Sequence, residues 1–285
     1  MNTKDLSLII SEEDLQTIKK AKYDMENLGW AIKQVNKVGS TLESGSKYIP
    51  NWTLSFIQRS TEKILLGILK ANLLTISKCK TFKKPSNKTY KAIVTGSGVA
   101  GGFFGSTTGI GTAIFVSEMT ISTKFIMRTI LDIARSQGED INSLEGQLQC
   151  LEVFALGGQS KHDDGMETSY YITRAALSST LMNVTASGIN AAIKAAAKSA
   201  SAMGSNAVTK FIAQIATRFS VLITEKFVAQ ALPIAGAVGG GTINLVFVNH
   251  FQKMANAHFN LRRLERKYGE DLVMKTYENI RLKSE

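Results

Sequence analysis

The chain has 285 residues, of which 44% are hydrophobic and 20% charged, and its formal net charge is +11. This composition is sufficient for a sizeable core and excludes global disorder. Three prolines are fewer than average usage, and long runs of leucine, isoleucine, alanine and lysine are typical of helices. We therefore predict an all-α fold, a multi-helix bundle with two glycine-rich apolar helical segments.

Positive charge is concentrated in two parts of the chain. Residues 63–117 and 168–224 together contain 13 Lys and Arg residues and no Asp or Glu, which more than accounts for the net charge of +11. Such segregation indicates an acidic partner, either nucleic acid or anionic lipid. The apolar, small-residue character of both stretches favours lipid. No nucleic-acid motif is recognisable, so nucleic acid is the weaker prediction.

The N-terminal part predicts two amphipathic helices. Ser11 and Asp14 precede apolar residues at helical spacing, which indicates a capped helix ending near Gly39. A second helix is predicted from about Asn51 to Ile76, with its basic residues off the apolar stripe. We treat residues 1–50 as an amphipathic helical extension and residues 51–285 as the main helical domain.

A basic loop follows the second helix, and an uncharged stretch follows the loop. The lysines that we predict to bind anionic lipid are Lys80, Lys83, Lys84, Lys88 and Lys91. Residues 92–117 contain no ionisable side chain and are long enough to cross a bilayer as a helix. A soluble helical hairpin and a membrane-contacting segment both remain open for this stretch.

Glycine is dense in this uncharged stretch and again near residue 240. Each glycine costs about 1 kcal/mol against alanine inside a helix, so close packing or an apolar solvent has to compensate. Repeats every four residues allow helix backbones to approach closely in membranes. The glycines predicted to serve helix packing or insertion are Gly101, Gly105, Gly109, Gly236 and Gly240.

The second half of the chain predicts further helices. They span about Thr112 to Ser136, Leu144 to Leu156, Tyr170 to Ala202, Val208 to Gln230, Thr242 to Lys267 and Glu270 to Leu282. Turns are expected at residues 138–142 and 157–165, and the glycines between residues 227 and 251 predict a flexible, uncharged segment.

Cysteine usage and the N-terminal composition predict a cytoplasmic location. Cys79 and Cys150 lie far apart without a CxxC spacing, which is typical of reduced thiols. The short apolar run Leu6 to Ile10 lacks the length of a secretory signal. We therefore expect a protein peripheral to the inner face of the cell membrane.

Histidines and acidic residues in the last third raise an enzymatic alternative, a hydrolase acting on lipid or peptide. Its candidate residues are Arg218, Glu225, His250, His258 and Glu265. No GxSxG or HExxH motif accompanies them, and the histidine spacing does not fit a metal site on one helix. The structural interpretation pairs Glu265 with Arg262 or Arg266 and has His258 hydrogen-bonded to a neighbouring helix. No metal and no cofactor is predicted.

A glycine pattern near residue 96 matches a dinucleotide fingerprint by letters alone. The run Gly96 to Gly101 reads GxGxxG, but no strand pattern precedes it and the next acidic residue is Glu118. A Rossmann site requires both a βαβ unit and a suitably placed acidic residue. We therefore exclude dinucleotide binding.

Several separated motifs resemble the EcsC protein family from about residue 116 to the C-terminus. They are Phe154-Ala155-Leu156-Gly157-Gly158, Tyr170, Arg174, Arg218-Phe219, Glu225-Lys226, Gln230, Pro233-Ile234-Ala235-Gly236-Ala237, Gly239-Gly240, Asn244, His250-Phe251, His258-Phe259, Arg262 to Arg266 and Tyr268-Gly269. The resemblance implies a helical, bacterial-type, membrane-associated protein. It implies no catalytic residue.

These observations together predict a non-enzymatic protein that binds anionic membrane surfaces. Its basic loop would attract lipid headgroups, and its glycine-rich segments would pack helices closely or enter the bilayer. Homo-oligomers formed through those segments would make membrane permeabilisation conceivable.

Overall fold

We analysed a computed structural model of the chain. The structure describes residues 10–26, 51–75, 109–156, 170–182, 207–231 and 236–281, together with residues 184, 185, 187, 188 and 191. All regular structure in these ranges is helical, and they contain no strand. The predicted all-α multi-helix bundle is therefore confirmed.

Eight α-helices are described. They are α1 (Glu12–Glu26), α2 (Asn51–Thr75), α3 (Gly109–Ser136), α4 (Leu144–Glu152), α5 (Tyr170–Ser179), α6 (Ala207–Ala231), α7 (Gly236–Tyr268) and α8 (Glu270–Asn279), with a 3₁₀ turn (Val153–Ala155) after α4.

Helix boundaries follow capping and glycine signals in the sequence. The Ser11 hydroxyl accepts the Asp14 amide at 3.3 Å, which begins α1 as predicted. The Ser143 hydroxyl accepts the Gly146 amide at 3.0 Å and begins α4. Gly138 and Gly269 have φ angles of 79° and 92°, a left-handed region that favours glycine, and they separate α3 from α4 and α7 from α8.

The long helix α7 is the centre of the bundle. It packs against α1, α3, α6 and α8, while α2 covers α6. Aromatic rings fill the middle of the core, with ring centroids of Phe154 4.8 Å from Phe219 and 5.3 Å from Phe251. Burying each such side chain stabilises the fold by about 1.5–3 kcal/mol. The core therefore joins α6, α7 and the 3₁₀ turn.

Three predicted elements differ from the structure. The helix predicted from Tyr170 to Ala202 is interrupted after Ser179, where the Ser179 and Thr180 hydroxyls bond to carbonyls three residues back, and its part from residue 192 to residue 202 lies outside the described residues. Such local hydroxyl bonds compete with the helix ladder. The helix predicted to begin at Thr242 begins at Gly236 instead, so the glycines belong to its first turns. The segment after Leu144 is α-helical only to Glu152.

The N-terminal helix α1 lies against α7 and α8. The carboxylate of Asp14 accepts hydrogen bonds from Lys267 Nζ at 2.7 Å and Tyr268 Oη at 2.8 Å. The start of the described chain is thereby joined to the end of α7. The division of the chain at residue 50 stays a prediction.

Candidate functional site

Part of the predicted lipid-binding surface lies outside the described residues. This holds for Gly101 and Gly105, and for the five lysines Lys80, Lys83, Lys84, Lys88 and Lys91. Gly109 and Gly236 are the first residues of α3 and α7, and Gly240 follows one turn into α7. The roles assigned to these residues stay predictions.

The outward face of α2 combines large apolar side chains with cations. Trp52 and Phe56 are 52% and 41% exposed, and Arg59 and Lys63 continue the same exposed face. Their spacings of four, three and four residues place the four side chains on one side of the helix. We call these four residues the α2 stripe.

A similar face runs along α3. Ile121 is 46% exposed, and Lys124 and Arg128 follow it at spacings of three and four residues, both exposed. The two helices α2 and α3 pack against each other. We call Ile121, Lys124 and Arg128 the α3 stripe.

Acidic side chains of these two helices are withdrawn from the surface. Among the described side chains of α2 and α3, no exposed one is acidic. Glu118 is buried and bonds to Lys226 Nζ at 2.8 Å. Asp132 is largely covered and pairs with Arg135 at 2.6 Å. Glu62, half-buried on α2, completes the set. Cations therefore dominate both outward faces.

The residues of the enzymatic alternative are only partly brought together. His258 and Glu265 both contact α5, whereas Arg218 and Glu225 lie on α6. His250 is eight residues before His258, about 12 Å along α7. It is buried beside Phe251, with ring centroids 5.0 Å apart, and it bonds to the Leu156 backbone. Two of the five candidates therefore share one location.

That location is a network of polar side chains between α5 and α7. Tyr170 Oη and His258 Nδ1 form a hydrogen bond of 2.9 Å, which confirms the predicted bond from His258 to a neighbouring helix. Glu265 Oε1 accepts hydrogen bonds from Tyr171 Oη at 3.0 Å and Arg174 Nη1 at 2.6 Å. We call these five residues the α5–α7 network.

The ion-pair partners predicted for Glu265 were wrong. Arg262 and Arg266 bond instead to Glu139, each with a nitrogen–oxygen distance of 2.6 Å. Glu265 forms its ion pair with Arg174 of α5. Glu139 lies in the turn between α3 and α4, and its carboxylate accepts hydrogen bonds from both Nε and Nη2 of Arg262. This bidentate geometry favours Glu139 over Glu265, which lies three residues after Arg262 on α7.

Burial controls protonation in this region. Burial raises the pKa of Glu152 to about 7, against the opposing effect of Arg174 and Arg262. Burial, with the nearby Arg174 and Arg262 charges, holds the pKa of His258 well below its usual value, so the imidazole is neutral. Glu152 Oε2 and His258 Nε2 have no hydrogen-bond partner among the described residues.

Sequence reasoning missed Glu152, Tyr171 and Arg174 as a functional group. A signal was present, because Arg174 follows Tyr170 by four residues and Tyr171 by three, spacings that place it beside both side chains on α5. The isolated Glu152 gave no such signal. The α5–α7 network consists of hydrogen bonds and an ion pair between two helices. Its histidine and carboxylate groups are fully or nearly fully buried.

A different environment surrounds the other end of α7. The rings of Phe115 and Phe227 have centroids 4.9 Å apart. Lys226 Nζ lies 5.1 Å from the ring centre of Phe247 and bonds to Glu118. The neighbouring Glu225 is half-buried on α6, and burial raises its pKa to about 7.

The structure also bears on metal binding and on membrane crossing. No cluster of three or more histidine, cysteine or acidic residues fit for a metal ion occurs in the described parts of the chain. In those parts, one helix segment, Ala207–Phe227 of α6, is long and apolar enough to cross a bilayer. Nearly half of this segment is buried in the bundle. The described Cys150 is a buried free thiol.

Comparison with known proteins identifies one family. Residues 12–264 match the EcsC protein family, a range that includes α1 and nearly all of α7. No curated protein and no solved structure matches the chain.

Proposed function

The chain belongs to the EcsC protein family, and from this premise we propose that it is a membrane-associated helical protein that binds anionic lipid surfaces. The observation that carries the proposal is the composition of the α2 and α3 stripes. Both place cations and large apolar side chains on outward faces that expose no acidic group among the described residues.

The physical basis is the combined attraction of two kinds of side chain. Each Lys or Arg near an anionic leaflet contributes about 1 kcal/mol, and the effect falls off within a Debye length. Tryptophan and phenylalanine prefer the membrane interface, where their rings leave water. Trp52 and Phe56 therefore supply adhesion that salt does not screen, beside the cations Arg59 and Lys63.

The sequence places the predicted lysine loop directly after α2. Thr75 ends the helix, and the five predicted lysines follow within residues 80–91. A continuous basic surface formed by α2 and this loop would lie against the inner leaflet of the cell membrane. Peripheral attachment on the cytoplasmic side is part of the proposal.

The hydrolase alternative has less support. Its residues His258 and Glu265 are held by Tyr170, Tyr171 and Arg174 in helix-to-helix contacts. A catalytic group has to reach its substrate, and both of these side chains are buried in the bundle. A binding protein without catalysis is therefore the function that we propose.

Vesicle flotation tests the proposal with the full chain. The test variant carries Arg59→Gln, Lys63→Gln, Lys124→Gln and Arg128→Gln. The matched control carries Lys19→Gln, Lys210→Gln, Lys275→Gln and Arg281→Gln, four exposed cations outside α2 and α3. We expect the wild type and the control to float with phosphatidylglycerol vesicles and not with phosphatidylcholine vesicles.

The test variant should partition into the vesicles one to three orders of magnitude less than the wild type. It lacks four cations that each contribute about 1 kcal/mol at full contact with the membrane, and incomplete contact makes the loss smaller than their sum. A variant with the five loop lysines changed to glutamine measures the share of the loop. Equal flotation of the wild type, the test variant and the loop variant, or flotation indifferent to lipid charge, would reject the proposal.

A further inference from the structure

Glu152 is a buried carboxyl group for which the described residues provide no ion-pair partner. It ends α4 and is 2% exposed, and its Oε1 accepts a hydrogen bond from Gln149 Nε2 at 3.3 Å. Its Oε2 has no hydrogen-bond partner among the described residues. An ionised carboxylate in such a place is costly, because it has lost water and gained no cation. Glu152 therefore either holds a proton or needs a cation.

Two arginines lie near enough to Glu152 to act on its charge, Arg174 of α5 and Arg262 of α7. Arg262 is engaged elsewhere, since its Nε and Nη2 both donate to Glu139 in the turn between α3 and α4. Arg174 uses one of its five N–H groups in the described hydrogen bonds, the Nη1 contact of 2.6 Å with Glu265. Arg174 is therefore the cation that can respond to a charge on Glu152.

The two carboxyl groups near Arg174 differ in their access to water. The side chains of Arg174 and Glu265 are 11% and 9% exposed, and Tyr171 Oη also donates to Glu265 at 3.0 Å. If Arg174 moved away, Glu265 would keep this strong hydrogen bond and part of its hydration. Glu152 is almost without hydration, so in its ionised form it has the greater need of the arginine.

We propose that Glu152, Arg174 and Glu265 form a proton-controlled switch. While Glu152 holds a proton, Arg174 pairs with Glu265 and joins α5 to α7; when the proton leaves for water, Arg174 turns towards Glu152 and α5 loosens from α7. The described arrangement is the protonated state. The inference goes beyond the proposed function and does not depend on lipid binding, because it assigns a controlled movement to one helix inside the bundle.

Loosening of α5 would change what the bundle exposes. Tyr170 and Tyr171 are buried and lie against Tyr277 of α8, with ring centroids 5.8 and 5.4 Å from it. Ile172 is 60% exposed and marks the outer side of α5. A loosened α5 would bring the two buried tyrosines towards solvent, beside an isoleucine that is exposed already.

Electrostatics supports control by Glu152. Burial is the largest influence and raises the pKa of its carboxyl group to about 7. Arg174 and Arg262 lower this pKa, whereas Glu145 and Glu265 raise it. The group therefore changes its charge near neutral pH, where a small change of conditions alters its protonation.

Other ionisable groups around Glu152 are neutral or have less influence on it. Burial raises the pKa of Cys150 and Tyr170 and lowers that of His258, so none of the three is charged at neutral pH. The remaining charged or titratable side chains described on the elements around α4 and the 3₁₀ turn are not among the main influences on the Glu152 pKa. They are Arg59, Glu62 and Lys63 of α2, Glu118, Lys124, Arg128, Asp132 and Arg135 of α3, Glu139 and Asp140 of the following turn, Lys210, Arg218, Glu225 and Lys226 of α6, and His250, Lys253, Arg263, Arg266 and Lys267 of α7.

The experiment is hydrogen–deuterium exchange of the full chain without lipid, read by mass spectrometry at about pH 6 and about pH 8, on both sides of the Glu152 pKa. Protection of residues 170–179 in α5 is divided by protection of residues 210–224 in α6, which removes the intrinsic pH dependence of exchange and any change in global stability. We expect this ratio to fall several-fold at the higher pH. The fall should not exceed about tenfold per pH unit, because one proton is linked to the change.

Two variants test the switch from both sides. Glu152→Gln has no charge at either pH, so Arg174 should stay with Glu265 and the ratio should stay high. Glu265→Gln removes the carboxylate that holds Arg174 to α7, so the ratio should be low at both pH values. Circular dichroism confirms that each variant is folded before exchange.

Glu225→Gln is the matched control. Burial raises the pKa of Glu225 to about 7 as well, but this residue lies on α6, outside the switch. The variant should retain the wild-type fall in the ratio.

A constant ratio in the wild type would overturn the inference, and so would a fall of wild-type size in Glu152→Gln. Loss of the fall in Glu225→Gln would overturn the assignment of the proton to Glu152.

Discussion

The two halves of α7 stabilise the bundle by different means. Residues 236–249 contain no ionisable side chain, and Phe247 lies against the rings of Phe219 and Phe251 and near Lys226 of the buried Glu118–Lys226 pair. Residues 253–267 carry six charges, five of which form ion pairs with Asp14, Glu139, Glu145 and Arg174. One half is held by packing, and the other by a charge network.

This difference predicts that the two halves of α7 respond differently to substitution. An ion-pair network connects several helices at once. Removal of one member leaves a charge without its partner, which is costly where that charge is buried. An end held by apolar contacts depends chiefly on close packing, with the Glu118–Lys226 pair as a buried addition. The two halves should therefore respond differently to salt and to the loss of one charged side chain.

The largest expected effect concerns the buried Glu118–Lys226 pair. Lys226→Met should destabilise the protein by about 3–5 kcal/mol, because a buried carboxylate loses its cation. Glu118→Leu combined with Lys226→Met should recover most of that loss. Urea unfolding of both single variants and the double variant measures the coupling.

The pair of Arg174 and Glu265 provides the comparison at the other half. Arg174→Met with Glu265→Leu should not recover stability to the same degree, since Tyr171 also donates to Glu265. Equal recovery at both places would remove the distinction between the Glu118–Lys226 pair and the α5–α7 network.

The next effect concerns the stability contribution of Glu225 as a function of pH. Its pKa is raised from 4.5 to about 7 in the folded state, so the folded protein binds more protons than the unfolded chain between these values. Stability should fall as pH rises from about 4.5 to about 7, by about 3 kcal/mol at 1.36 kcal/mol per pKa unit.

Glu225→Gln isolates this contribution. The variant should equal the wild type near pH 4.5 and exceed it above pH 7, as measured by urea unfolding at a series of pH values. A constant difference between the two proteins across this range would contradict a raised pKa at this position.

Local patterns in the sequence predicted the helices well. Apolar periodicity and capping residues placed α2 and α6 to within a few residues, and Ser11 and Gly269 marked true boundaries. The helix predicted to continue past Ser179 is interrupted there, because the Ser179 and Thr180 hydroxyls bond to backbone carbonyls. Helix propensity is a weak guide where side chains bond to the backbone.

Long-range pairing was the part that sequence could not supply. Local spacing assigned Glu265 to Arg262 and Arg266, but α5 brings Arg174 across 91 positions and the turn after α3 brings Glu139 to both arginines. The α2 stripe was partly visible, since Arg59 and Lys63 were placed off the apolar face. The exposure of Trp52 depends on how α2 packs against α6, which periodicity alone does not determine.

A smaller effect is expected in the α5–α7 network. Tyr170→Phe removes the hydrogen bond to His258 and should destabilise the protein by about 1–2 kcal/mol, because the buried imidazole loses a partner. Tyr23→Phe, at a position 45% exposed on α1, is the matched control and should be neutral. A neutral Tyr170→Phe would show that the network is not needed to hold α5.

The smallest effect tests whether the charged half depends on local backbone order as well as on ion pairs. Ser143 caps α4, which carries Glu152 towards Arg174. Ser143→Ala should cost about 1 kcal/mol in urea unfolding, while Ser178→Ala, exposed near the end of α5, should change little. Because the cap is uncharged, the loss should persist at high salt, whereas the contribution of the exposed Arg266 to Glu139 should weaken. Salt dependence of the Ser143→Ala effect would contradict this separation of backbone from charge.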